Sequence, residues 1–234
     1  VHQDQFEEIK STTKSDNKAV KTNAAIEGAK LVFKSKYLLA IVGIVGFYEI
    51  LSTIMDFQFS ATIEHYLHTE EAIGQQFATI FSITNIVALV VQLFLTSFIM
   101  TKFGLTVALL ILPCAIMFGS FSFLAFPILW VGSFLNTADN GFSYSINQSA
   151  KEALYVPTSR DEKYKAKAFI DMFVQRFAKA LAVGISLLIT MMFRDFSSIR
   201  WLSLITIIIV IIWMLVVRFA GRKFNELAPS KKND

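Results

Sequence analysis

Residues 202–217 pass without a single charged side chain. A soluble helix of that length needs a polar outer face, and this run has none. It suits hydrocarbon, where about 20 mainly apolar residues complete a helical crossing. Comparable runs recur at roughly 37–60, 73–100, 105–123, 127–149, 168–192 and 199–219, and they predict six transmembrane helices. Pro113 and Pro127 lie in or beside these runs, where a bilayer helix tolerates them better than a soluble one. Composition points the same way. Of the 234 residues, 54% are hydrophobic and 17% charged, against about 25% charged in an ordinary soluble domain. The fold class read from the sequence is all-α, a polytopic membrane protein.

Positive charge sets the expected orientation. Lys10, Lys14, Lys18, Lys21, Lys30, Lys34 and Lys36 precede the first run; Lys151, Arg160, Lys163, Lys165 and Lys167 follow the fourth; Arg218, Arg222, Lys223, Lys231 and Lys232 follow the sixth. The opposite side has Arg194 and Arg200, with Glu64, Glu70 and Glu71 in its first loop. Both termini are therefore expected in the cytoplasm. The divisions are a lysine-rich segment over 1–36, a six-helix bundle over 37–220 and a tail over 221–234. Within the first, disorder is expected to about residue 25, then an amphipathic helix over 24–36 at the membrane interface. Residues 159–167 are expected to form a lysine-rich cytoplasmic connection. Six spans with both ends inside is how half of a twelve-helix, major-facilitator-like carrier is arranged, the lysine-rich start joining the halves. The chain starts with Val and no apolar signal core follows, so a piece of a longer protein is expected.

Several classes are disfavoured. One cysteine, Cys114, gives no disulfide framework or cysteine metal site, and His2, His65 and His68 are too scattered for a histidine site. His65 and His68 fit a wet loop beside a helix end. A net charge of +4, spread over the non-membrane segments, suits anionic lipid and not nucleic acid. No G-x-x-x-x-G-K-[ST] loop is present, so nucleotide is not indicated as fuel. No span sets a nucleophile beside a base, so an enzyme ranks last. No cofactor is called for.

Ionisable groups inside the spans need a reason, since each costs about 2.5–3.5 kcal/mol at the bilayer centre on insertion scales. The fifth run holds Asp171, Gln175 and Lys179 at spacings of four, with Arg176 on an adjoining edge. The first run offers acids two turns apart, Glu49 and Asp56. They could simply register the helices as salt bridges, or face a cavity whose ion pairs rearrange. The fourth run carries Asn136, Asn140, Ser143, Tyr144, Asn147 and Lys151 along one helical stripe, with Asp139 at its edge. Helix–helix hydrogen bonding uses one or two such groups, so six in register favour a water-filled path. Asn85 and Gln92 in the second run are a weaker pair that helix contact explains equally well.

The stretch from Asn147 to Lys179 resembles the ATP/ADP translocases of plastids and intracellular bacteria. The resemblance rests on Lys151-Glu152-Ala153-Leu154-Tyr155-Val156-Pro157, on Lys163 and Lys165, on Lys167-Ala168-Phe169-Ile170-Asp171, and on Lys179. The Phe33-Lys34-Ser35-Lys36-Tyr37-Leu38-Leu39 entry to the first run is also similar, and the whole chain matches the C-terminal half of that family. The resemblance implies a major-facilitator-like fold, membership of a twelve-helix carrier and nucleotide as cargo. It makes Lys179 the residue that meets phosphate and Lys151, Glu152 and Asp171 motif positions.

The expected function is secondary transport of a nucleotide or related phosphorylated anion, by exchange through alternating access, in a bacterial inner membrane. Lys179, Arg176, Gln175, Asn140, Tyr144, Asn147 and Lys151 are the candidate cargo-binding residues. Lysine offers a rotatable point charge that a polyphosphate can leave again, and Arg176 a two-pronged grip. Glu49, Asp56, Asp139, Glu152 and Asp171 are candidates for gating or charge pairing. The partners are the bilayer and an N-terminal six-helix half, on the same chain or another. The alternative is a non-transporting anchor or sensor that retains the carrier scaffold.

Overall fold

A computed structural model describes residues 26–192 and 196–228. The segment read as disordered, Arg194, Lys231 and Lys232 lie outside those residues. Every element described is helical. A short helix α1 covers 26–34. Six long ones follow: α2 (Lys36–Tyr66), α3 (Glu70–Lys102), α4 (Gly104–Ala125), α5 (129–153), α6 (Arg160–Met192) and α7 (Arg200–Leu227).

Five of these, α2, α3, α4, α6 and α7, are long and apolar enough to cross a membrane. The exception is α5, which carries the polar stripe: Asn136, Asp139, Asn140, Asn147, Gln148, Lys151 and Glu152 dilute its apolar content.

The helices outrun the apolar runs because polar caps, not hydrophobicity, set their ends. Ser35 caps α2 by accepting from the Leu38 N–H, and Thr69 caps α3 by accepting from Ala72. Between Lys102 and α4 the chain reverses at Gly104, whose φ of 81° is costly for a residue with a Cβ. The expected loop over 159–167 is instead helical. Ser159 accepts from the Glu162 N–H while Glu162 Oε2 accepts from the Ser159 N–H, a complete capping box that starts α6 at Arg160. Pro113 sits inside α4 without ending it.

At the centre is α2. It packs against α5, α6 and α7, while α4 bridges α5 and α7, and α3 lies against α5. Ile41, Ile44, Leu51, Ile54 and Met55 of α2 join Leu109, Leu112 and Ile116 of α4 and Val210, Trp213 and Val217 of α7 in one buried core. The segment α1 packs against the bundle. Val32 is fully buried, Glu27 pairs with Lys165 at 2.8 Å, and a Cβ on Gly28 would collide with the Lys165 carbonyl. It is docked on the start of α6. His65 ends up in the last turn of α2, its ring stacked on Phe196 at 3.8 Å, with His68 exposed in the connection beyond.

Three wide π turns interrupt the long helices: Val91–Leu95 in α3, Ser143–Asn147 in α5 and Ile170–Val174 in α6. Each adds a residue to a turn and so rotates everything beyond it relative to a uniform helix.

Candidate functional site

The polar residues of α2 follow helical spacing: Tyr48, Ser52 and Asp56 by four, with Glu49 and Thr53 beside them. They floor a cavity of about 480 Å³. One wall is α5, which contributes Asn140, Ser143, Tyr144, Gln148 and Lys151; the other is α6, with Gln175 and Lys179. These charges and amides sit at the depth of apolar spans, so the cavity supplies the water or ligand that their solvation requires.

Ion pairs and hydrogen bonds link the three helices. Lys179 Nζ lies 3.5 Å from Glu49 Oε2, joining α6 to α2. Asn136 donates to Asp56 Oδ1 at 2.9 Å, and Ser52 donates to Asp139 Oδ2 at 2.7 Å, joining α2 to α5. Ser143 donates to the Tyr48 hydroxyl at 2.5 Å, and Lys151 Nζ stands 4.7 Å above the Tyr48 ring. The aromatic face stabilises that cation from below while leaving its N–H groups for other partners.

Eight of the residues singled out from sequence meet here: Glu49, Asp56, Asn140, Ser143, Tyr144, Lys151, Gln175 and Lys179. Two lie behind the lining. Asp139 is fully buried, with Oδ1 unpartnered, and Asn147 is buried with neither amide atom partnered. The π turn explains Asn147. In a uniform α-helix it would share a face with Asn140, but the extra residue turns it toward the bundle interior and brings Gln148 into line instead.

Three others stand apart. Arg176 is exposed and outside the lining, so the structure does not bring it to Lys179 as a second grip. Asp171 is exposed within the π turn of α6. Glu152 belongs to a cluster at the lysine-rich end of the bundle, accepting from Lys167 at 2.5 and 2.7 Å with Lys163 at 3.9 Å. There Lys167 also covers the Tyr155 ring at 5.4 Å, and burial pushes the Tyr155 phenol above its ordinary pKa. The cluster ties the end of α5 to the start of α6. Tyr48, Ser52, Thr53 and Gln148 complete the lining without having stood out in the sequence. For the first three the signal was the four-residue spacing within α2; for Gln148 a uniform period hides it. Among the described residues no group of three or more His, Cys, Asp or Glu could hold a metal ion.

Helical in every element of its described residues, with five membrane-length helices among them and a charged, amide-lined cavity between three helices, the chain is a polytopic membrane protein. The family model described as TLC ATP/ADP transporter matches residues 1–129 and 128–224. The chain belongs to that family. Its relatives include ADP,ATP carrier protein 3 of Rickettsia prowazekii (strain Madrid E), 26% identical over 87% of this chain and 45% of the relative. The plastidic ATP/ADP-transporter of Solanum tuberosum is 25% identical over 92% of this chain and 37% of the relative. ADP,ATP carrier protein 2 of Chlamydia pneumoniae is 22% identical over 84% and 41%. The chain thus spans less than half the length of these curated relatives. No solved structure matches it significantly.

Proposed function

We propose that the chain forms the C-terminal six-helix half of a secondary carrier that exchanges nucleotides or related phosphorylated anions by alternating access. The observation that carries this reading is the cavity itself, where Lys151, Asn140 and Gln148 of α5 face Lys179 and Gln175 of α6 over the floor made by α2. The lysines would meet phosphate, the amides would take up its remaining oxygens, and exposed Tyr144 would offer a face to a base. The names of the relatives, carriers of ADP and ATP, agree with that cargo.

In this reading α5 is the sixth span. Its polar stripe is compatible with the bilayer because α2, α3 and α4 all pack against it and the stripe faces a wet cavity. Both termini are cytoplasmic, with 1–36 as the linker from the preceding half and 37–220 as the bundle. The second half, on the same chain or another, closes the open side of the cavity. The most apolar stretches of α3 and α6 bury only 17% of their residues, against 56% for α2, which leaves faces for it to cover.

The test is uptake of labelled ATP and ADP into liposomes carrying the full-length protein, with Lys179→Ala beside it. Saturable uptake that disappears in a variant inserting normally supports the reading. Folded protein that moves no nucleotide removes the nucleotide assignment.

A further inference from the structure

On the side of α2 away from the cavity, two pockets meet at Leu215. The first is an apolar groove of about 430 Å³ between α2 and α7, lined by Leu39, Ala40, Gly43, Ile212, Leu215 and Phe219 among others, with Lys36 at its rim. The second, about 530 Å³, lies against the end of α7 and the start of α4, lined by Thr106, Leu215, Arg218, Arg222 and Asn225. Ala40 and Glu49 are nine residues apart, which at about 100° per residue places groove and cavity on opposite sides of α2.

We propose that the two pockets together are a binding site for one anionic phospholipid, its acyl chain in the α2–α7 groove and its phosphate between Arg218 and Arg222. Charge and position both argue for this occupant. Arg218 and Arg222 are spaced by four and exposed, and no ion pair among the described residues engages either guanidinium. Guanidinium groups present forks that match phosphate oxygens. Thr106 and Asn225 add a hydroxyl and an amide to the same pocket. Below them the wall turns apolar at Leu215, itself 60% exposed, and stays apolar along Ile212 and Leu39. A soluble anion has no use for that groove, whereas a lipid has a chain of the right character directly below its phosphate. Basic pockets between helix ends on the positively charged side of a membrane protein suit anionic headgroups for these reasons. The site is distinct from the cargo cavity and requires no cargo assignment.

Native mass spectrometry of the delipidated full-length protein titrated with phosphatidylglycerol, phosphatidylcholine or inorganic phosphate tests the proposal. The expected result is one retained phosphatidylglycerol, held at least about tenfold more weakly in Arg218→Ala/Arg222→Ala. Phosphatidylcholine should be held as weakly in wild type as phosphatidylglycerol is in that variant. Arg218→Lys/Arg222→Lys should keep most of the retention, which separates lost charge from lost fold. Equal retention in wild type and the Ala variant overturns the proposal. So does full competition by inorganic phosphate, which would make this a free-anion pocket and the groove irrelevant.

Discussion

Lys179 Nζ and Glu49 Oε2 stand 3.5 Å apart in the cavity, the one 60% exposed and the other 12% exposed at their side chains. The asymmetry matters. The ammonium is exposed while the carboxylate is held in the floor, so the pair can be opened from the lysine side.

Opening it by mutation should therefore damage transport more than folding. Glu49→Gln should lower stability by about 1 kcal/mol or less, because the lysine stays solvated without its partner. Lys179→Ala should abolish saturable uptake, while Arg176→Ala, outside the lining, should leave uptake within about twofold, a change of about 0.4 kcal/mol. Comparing the three in uptake and in detergent melting separates a cargo contact from a packing contact.

Asp139 depends on Ser52 for the one hydrogen bond its carboxyl group makes. Ser52→Ala leaves both oxygens without a partner in a fully buried position, at a cost of about 1–3 kcal/mol. The loss should show as a lower melting temperature. In an Asp139→Ala background the same Ser52→Ala change should cost little, a coupling that a double-mutant cycle reads directly.

The π turn at Ser143–Asn147 makes a one-residue distinction. In a Cys114→Ser background, Tyr144→Cys and Gln148→Cys should react quickly with a membrane-impermeant maleimide added to the open cavity. Asn147→Cys should resist it, being buried. Equal labelling at 147 and 148 would mean a uniform α-helix in place of the wide turn.

Gly28 allows α1 to approach the Lys165 carbonyl. Gly28→Val should lift α1 off α6, break the Glu27–Lys165 pair and expose Val32. Faster tryptic cleavage at Lys30 and Lys34, with little change in the melting of the bundle, is the expected outcome.

These cases also mark how far the residues alone could be read. Long apolar runs such as 202–217 announce α7 because hydrocarbon demands them. Glu49, Asp56 and Lys179 announce themselves because charge in such runs needs a reason. The same logic gives too little weight to groups that are merely polar. Tyr48 and Ser52 are ordinary in sequence and matter only because α2 sets them beside Ser143 and Asp139 on another helix. Asn147 falls outside the lining for a different reason. A period of 3.6 assumes that every turn is alike, and nothing in Ser-Tyr-Ser-Ile-Asn declares the wider one. Arg176 shows the limit of charge as a guide, since one residue along α6 separates the cavity from an exposed flank. The cap at Ser159 is legible, as the spacing to Glu162 is the signature of a capping box, although the lysines around it suit a loop equally well.

The cavity wall has one further consequence. By formal count Lys151 and Lys179 are matched by Glu49 and Asp56, so the resting wall is a balanced set and not a bare well of positive charge. The acids occupy, electrically, the place that an incoming polyanion would take. In the proposed reading a guest would displace a stand-in already attached to the protein, and the stand-in would return when the guest leaves. Such a wall would grip by substitution, which favours turnover over retention.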